Sequence, residues 1–273
     1  LSARRTLIVN PNASGVTAGR IEDARARLEP VEVLRTERQG HATELARSAS
    51  GEEVWVLGGD GVVNEVLNGL REGASVGIVP AGASNVLARS VGRGGRRISL
   101  GRVNGRRFAF SAGIGVDSAV VREMETEKRA HEGRRPSDWR YARAVASRLT
   151  RRYEPVLEIA GRGRAAMVFV SNDAVFTRAG RVPLRFAPAA RFDLGLDFVA
   201  PRRLDALRSA WLAARVFTGR GLVGARGVIS GHDLDRIEVR CDFPLPLEAD
   251  GEDLGDVSEA VFEAERDAVT VLV

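Results

Sequence analysis

Residues 53–70 constrain the fold more than any other stretch of the chain. Glu53-Val54-Trp55-Val56-Leu57 is a short apolar run of strand type. Gly58, Gly59 and Gly61 surround Asp60 and allow a tight turn with close backbone approach. The following residues read as a helix. Val63, Val66, Leu67 and Leu70 share one face, with Asn64, Glu65 and Asn68 opposite. A helix that starts at a glycine turn points free N–H groups into the loop, which suits an anion such as phosphate. Asp60 in such a loop is a candidate magnesium partner or general base. The plain alternative is a glycine-rich turn of any α/β protein.

The same alternation runs through the first hundred residues. Strands are expected at Thr6–Val9, Val31–Arg35, Val54–Leu57 and Val76–Val79. Helices are expected at Arg20–Leu28, Thr43–Ala49, Val63–Leu70 and Asn85–Val91. Alternation of this kind implies a parallel sheet covered by helices, with ligands beyond the carboxyl ends of the strands. After about residue 97 short strand-like runs dominate: Ile98–Val103, Phe108–Ser111, Val156–Ile159, Met167–Ser171, Leu184–Ala187, Leu196–Val199, Ile237–Cys241 and Val269–Val273. Helical stretches interrupt them near Asp117–Leu149 and Leu204–Phe217. The expected class is α/β plus β. A Rossmann-like parallel-sheet domain covers 1–97 and a β-rich, sandwich-like domain covers 98–265, while a final strand at 266–273 returns towards the first domain.

Composition narrows the function classes. At 273 residues, 44% hydrophobic and 28% charged, the chain has ample core for one large or two moderate domains. No apolar run approaches the roughly 18 residues of a membrane span, and the apolar stretch before Asn10 is too short for a signal peptide. Cys241 is alone, which excludes a disulfide framework, and His41, His131 and His232 lack zinc spacing. A cytoplasmic protein is expected. The formal charge of +5 is almost all arginine, since Lys128 is the only lysine. The basic clusters at Arg93–Arg97, Arg134-Arg135 and Arg151-Arg152 lack the interleaved aromatics of a nucleic-acid platform, so no nucleic-acid partner is expected.

Two segments carry a specific resemblance. Leu57-Gly58-Gly59-Asp60-Gly61-Val62-Val63-Asn64-Glu65-Val66-Leu67-Asn68-Gly69-Leu70 resembles the signature of the diacylglycerol and sphingosine kinase family, in which G-G-D-G-T leads into a helix containing N-E-V-x-N-G-L. Val79-Pro80-Ala81-Gly82-Ala83-Ser84-Asn85-Val86-Leu87-Ala88-Arg89 resembles the family's P-x-G-T-x-N-x-x-A-R. Val62 and Ala83 stand where the family has threonine, with Ser84 offering a neighbouring hydroxyl. Sphingosine kinases also carry an apolar residue at the position of Val62.

Further segments are similar in family order. Asn10-Pro11-Asn12-Ala13-Ser14-Gly15 resembles the first nucleotide loop, and Thr36 through Gly40-His41-Ala42 resembles T-x-x-x-G-H-A. Gly113-Ile114-Gly115-Val116-Asp117 resembles G-I-G-x-D, whose acid lies near the lipid head group; a helix N-cap is the alternative for Asp117. Asp193 and Asp197 stand in a shortened version of an acidic loop that holds magnesium in bacterial lipid kinases, with a β-turn acid as the alternative. Asp250-Gly251-Glu252 resembles the C-terminal D-G-E, against a plain D-G hairpin turn. Beyond the acidic run at Glu123–Glu127, the basic stretch 128–135 with Trp139 and Tyr141 suits either a membrane interface or a partly buried helix.

The resemblance, from Asn10 to Glu252, implies an ATP- and Mg2+-dependent lipid kinase of phospholipid metabolism, associated peripherally with a membrane surface. It implies nucleotide contacts at Asn10, Ser14, Thr36, Gly58, Gly59, Gly61, Glu65, Gly82, Ser84 and Asn85. Catalytic carboxylates are implied at Asp60, Asp250 and Glu252, with either Asp60 or Asp250 as the base. The implied substrate contact is Asp117, and Asp193 and Asp197 are the implied metal ligands. NAD kinase, which shares G-G-D-G-T, and a family member that binds lipid or nucleotide with weakened turnover are the competing readings. The lipid stays open, as does a homodimer.

Overall fold

The computed structural model describes residues 5–29, 31–82, 85–130, 143–144, 147–148, 150–175, 177–179 and 182–273. In chain order the first elements are β1 (Arg5–Val9), α1 (Ala18–Leu28), β2 (Val31–Arg35), α2 (His41–Ser48), β3 (Glu53–Gly58), α3 (Asp60–Gly69), β4 (Ser75–Pro80) and α4 (Val86–Val91). There follow β5 (Gly95–Val103), β6 (Arg106–Phe108), β7 (Ser111–Ile114), α5 (Val116–Ala130), β8 (Leu157–Ile159), β9 (Gly163–Ala165) and β10 (Val168–Ser171). The last are β11 (Thr177–Ala179), β12 (Val182–Leu184), β13 (Leu196–Pro201), α6 (Ala206–Phe217), β14 (Val228–Leu234), β15 (Arg236–Ala249) and β16 (Glu252–Leu272). The chain divides into two compact units, Leu1–Leu100 with Arg266–Val273, and Gly101–Glu265.

In the first unit β2, β1, β3 and β4 lie side by side, all parallel, and the end of β16 adds in parallel to β4 through Thr270–Leu272. The register aligns Val9 with Leu57 and Arg35, and Gly58 with Pro80. The strand ends that precede the informative loops therefore fall on one edge. Helices cover these strands, so they read as nearly continuous apolar runs: Leu7, Ile8 and Val9, then Val54, Val56 and Leu57, are all buried. Helix α3 starts at Asp60, earlier than the apolar face suggests, because the turn at Gly59 enters the helix directly. It is also buried more widely than expected. Val62 and Asn64 are covered along with Val63, Val66 and Leu67, since α3 packs on α2 as well as on the sheet.

The second unit is mostly antiparallel strands. Their order is β14-β13-β10-β7-β15-β16, with β8 on β15, β9 on β8 and β6 on β5. Its main core gathers Phe108, Ile114, Val168, Val170, Phe198, Val239, Leu247 and Phe262. The mixed α/β fold with a strand-rich C-terminal region is as expected. Sequence reading foresaw only the ends of the longest hairpin, Ile237–Cys241 and Val269–Val273, whereas β15 and β16 run for 14 and 21 residues. Register shifts between Arg240 and Leu245 and between Pro246 and Glu248 break the period-two pattern there. Among the described residues no helix is long and apolar enough to cross a membrane.

Candidate active site

In the first unit the loops after β1, β3 and β4 are tied together through their backbones. The Asn10 N–H donates to the Leu57 carbonyl at 3.1 Å, the Ala81 N–H to Gly58 at 2.8 Å, and the Gly15 N–H to Ala81 at 3.0 Å. The Thr36 N–H joins this edge by donating to Val9 at 2.9 Å. Gly59 and Gly82 meet face to face. A Cβ on Gly82 would lie 2.5 Å from the Gly59 Cα, closer than such atoms approach, so only glycines let these two loops touch. Arg20 of α1 fastens the arrangement, donating to Gly15 O at 2.8 Å and Pro80 O at 2.7 Å.

Asp60 heads α3, yet its carboxylate faces another helix. Oδ1 accepts from the Leu87 N–H at the start of α4, at 3.3 Å. Burial raises the pKa of Asp60 above the ordinary carboxylate value, and the amides of Leu87, Val86 and Asn85 partly offset this. Asn85, in the left-handed region at φ 46°, closes its loop on Gly82: Oδ1 accepts from the Gly82 N–H at 2.8 Å and Nδ2 donates to Gly82 O at 2.6 Å. The N-caps of both helices, Gly59 for α3 and Asn85 for α4, bring no side-chain bond to their own first turn. The first-turn N–H groups of α3 lack intrahelical partners by construction, and Gly61 is exposed beside them.

Other residues singled out from sequence have distinct places. Ser14 is exposed on the β1–α1 loop, and Asn10 Oδ1 accepts from the Asn12 N–H at 3.0 Å. Thr36 is buried. Glu65 accepts from the Ala42 N–H at 3.1 Å and so holds the first turn of α2, which His41 opens. Val62 packs inward: a Cβ on Gly58 would fall 2.3 Å from Val62 Cγ1. Ala83 and Ser84 lie outside the described residues, as does the segment with Trp139 and Tyr141.

In the second unit Asp250 and Gly251 form the two-residue turn between β15 and β16, with φ of 49° and 79°. The hairpin alternative for this segment is therefore realised. The turn also aims the Asp250 carboxylate at consecutive amides, accepting from Ala109 at 2.6 Å, Phe110 at 2.8 Å and Ser111 at 3.1 Å. Buried Asn172 braces the same bend by donating to Ala109 O at 2.8 Å. Glu252 forms an ion pair with Arg106. Asp250 and Glu252 thus flank one turn but serve different partners. Asp117 is the second residue of α5, inside the helix rather than at its cap. Asp193 pairs with Arg191 at 2.6 Å, while Asp197 is buried and meets His232 Nδ1 at 2.8 Å. Among the described residues no group of three or more His, Cys, Asp or Glu side chains is placed to hold a metal ion.

Residues 4–104 match the family model of the diacylglycerol kinase catalytic domain. Over this segment the chain is similar to the diacylglycerol kinase catalytic domain family. The sphingoid long-chain bases kinase 1 of Arabidopsis thaliana is 44% identical over 22% of this chain and 10% of its own length. A diacylglycerol kinase of Bacillus subtilis is 35% identical over 28% of this chain and 32% of its own. The chain spans about half, or less, of the length of the curated relatives it matches. A crystal structure of a diacylglycerol kinase from Bacillus anthracis superposes with a TM-score of 0.71 at 19% identity, covering 99% of this chain and 96% of that one. That likeness concerns the fold. The catalytic-domain match contains every loop of the first-unit site, from Asn10 to Asn85. Sequence reasoning missed Arg20, because in a chain this rich in arginine one guanidinium carries no signal. It also missed Asn172, which lies in no motif.

Proposed function

We propose that this protein transfers the γ-phosphoryl group of ATP to the hydroxyl of a lipid. One observation carries the reading: the glycine-to-glycine contact of the β3 and β4 loops beside an α3 N-terminus that no side chain caps. Such a surface offers N–H donors to phosphate at close range. The catalytic-domain match over residues 4–104 and the similarity to a diacylglycerol kinase support the same assignment.

In this proposal the amides at Gly59–Gly61 hold nucleotide phosphates, and Gly82 with Asn85 shapes the facing wall. A magnesium ion would be held by the nucleotide phosphates and waters, where it would neutralise charge on the transferred group, so that the Asp60 carboxylate is not required as its ligand. Asp60 is our choice for the base. Burial has already raised its pKa, which favours proton acceptance nearer neutrality. Asp250 is engaged by the 109–111 amides and acts as a positioning residue. In this reading the first unit binds the nucleotide and the second the lipid.

The test is radiolabelled transfer from ATP to a panel of diacylglycerol, sphingoid base and lipid-carrier alcohol. Asp60→Asn should abolish transfer without lowering the melting temperature at neutral pH. Label on NAD but on no lipid overturns the lipid reading. Full transfer by Asp60→Asn overturns the site.

A further inference from the structure

The outward face of α6 is apolar. Leu207 is 85% exposed, Trp211 44% and Phe217 59%. With exposed Ala210 and Ala214 they follow one another at spacings of three and four, so they form a stripe along the helix. The opposite face, with Leu212 and Val216, is buried in a core cluster. A surface helix needs one apolar stripe for its core; this one has two. Val223, in the loop after the helix, is also 40% exposed. A contiguous exposed patch of this kind marks a binding surface.

The segment that carries the stripe is strongly basic. Between residues 201 and 230 stand Arg202, Arg203, Arg208, Arg215, Arg220 and Arg226 against a single acid, Asp205. This excess of five equals the formal charge of the entire chain. Asp205 is the N-cap of α6, accepting from the Arg208 N–H at 2.8 Å. Arg203 reaches Glu154 at 3.4 Å. Arg215 is held on the stripe itself, its guanidinium 5.4 Å from the Trp211 ring centroid and its Nε donating to Gly221 O at 3.0 Å. Aromatic and aliphatic side chains rimmed by arginine fit the headgroup layer of an anionic bilayer, with apolar groups between the chains and cations on the phosphates.

We infer that α6 docks this protein on anionic lipid bilayers. The choice of a bilayer over a protein partner rests on this charge complementarity and on the lipid-kinase reading above. The inner face of α6 shares its buried cluster with Val116, the residue before Asp117.

The experiment is co-sedimentation of the full chain with vesicles that contain no substrate, made of phosphatidylcholine alone or mixed with phosphatidylglycerol. The protein should bind the mixed vesicles and not the neutral ones. Leu207→Ser/Phe217→Ser should weaken binding on the order of ten-fold or more at an unchanged melting temperature. Arg220→Gln/Arg226→Gln should weaken it independently and reduce its salt dependence. No binding to mixed vesicles, or equal binding by both variants, overturns the inference. So does a dimer in sedimentation equilibrium that Leu207→Ser/Phe217→Ser dissociates, since the face then belongs to a second copy. Vesicle binding without phosphoryl transfer would sink the kinase reading and leave the docking face standing.

Discussion

At the scale of single residues, Asp60 does two jobs that pull against each other. It ties the β3 loop to α4, and it is a carboxylate whose charged form is penalised by burial. Its folded pKa lies above the unfolded value, so the native state binds the proton more tightly between the two. Stability is then lost as pH rises from the unfolded pKa, near 3.8, through the folded one. The melting temperature of Asp60→Asn, relative to the unsubstituted protein, should therefore climb across that window and stay level above it; a flat difference contradicts the assignment. Gly58 offers a second residue-scale test. A methyl there meets the stiff, β-branched Val62 at 2.3 Å. Gly58→Ala should cost about 1–3 kcal/mol in urea unfolding, and Gly58→Ala/Val62→Ala should recover part of it, a coupling that a double-mutant cycle reads directly. The inward packing of Val62 also means that its methyls fill space above the strand end, so its lack of a hydroxyl is not by itself a reason to expect weak turnover.

At the scale of elements, the β15–β16 hairpin shows how a common turn acquires a specific task. Asp-Gly in positive φ is what a two-residue hairpin turn asks for. Only the approach of the 109–111 bend turns that aspartate into an acceptor for consecutive amides. Asp250→Asn puts an NH2 group against those donors, so it should destabilise the protein by about 2–3 kcal/mol. Denaturant unfolding checks this; an unchanged midpoint would leave the contact without energetic weight. Loss of activity in that variant is informative only beside its stability. The second element-scale lesson is α6. Periodicity shows a helix at Leu204–Phe217, but apolar residues occur on more than one side, so the pattern cannot say which side the core takes.

At the scale of the whole molecule, the last strand matters most. Thr270–Leu272 pair with β4, and Val271 is completely buried in the first unit although it lies almost two hundred residues from its neighbour Val76. Val271→Asp places an unpaired charge in that core. It should lower stability by about 3 kcal/mol or more, and hydrogen exchange of the β4 amides should accelerate with it. Retained protection in β4 would mean that the edge strand contributes little.

What the sequence determined by itself is local or short in range. The parallel βαβ succession, the limits of β2 and the glycine loops at Gly58–Gly61 and Gly82 follow from apolar periodicity and from backbone conformations that only certain residues permit. What the tertiary structure decided is where side chains go when their partners are distant. Asp60 meets a helix 27 residues on, Asp250 an amide row about 140 residues away, Glu65 the start of α2, and Asp197 a histidine rather than Asp193. A carboxylate accepts equally well from any amide, guanidinium or imidazole. Its partner is therefore set by which strands and loops packing brings within about 3 Å, and sequence spacing carries no record of that choice.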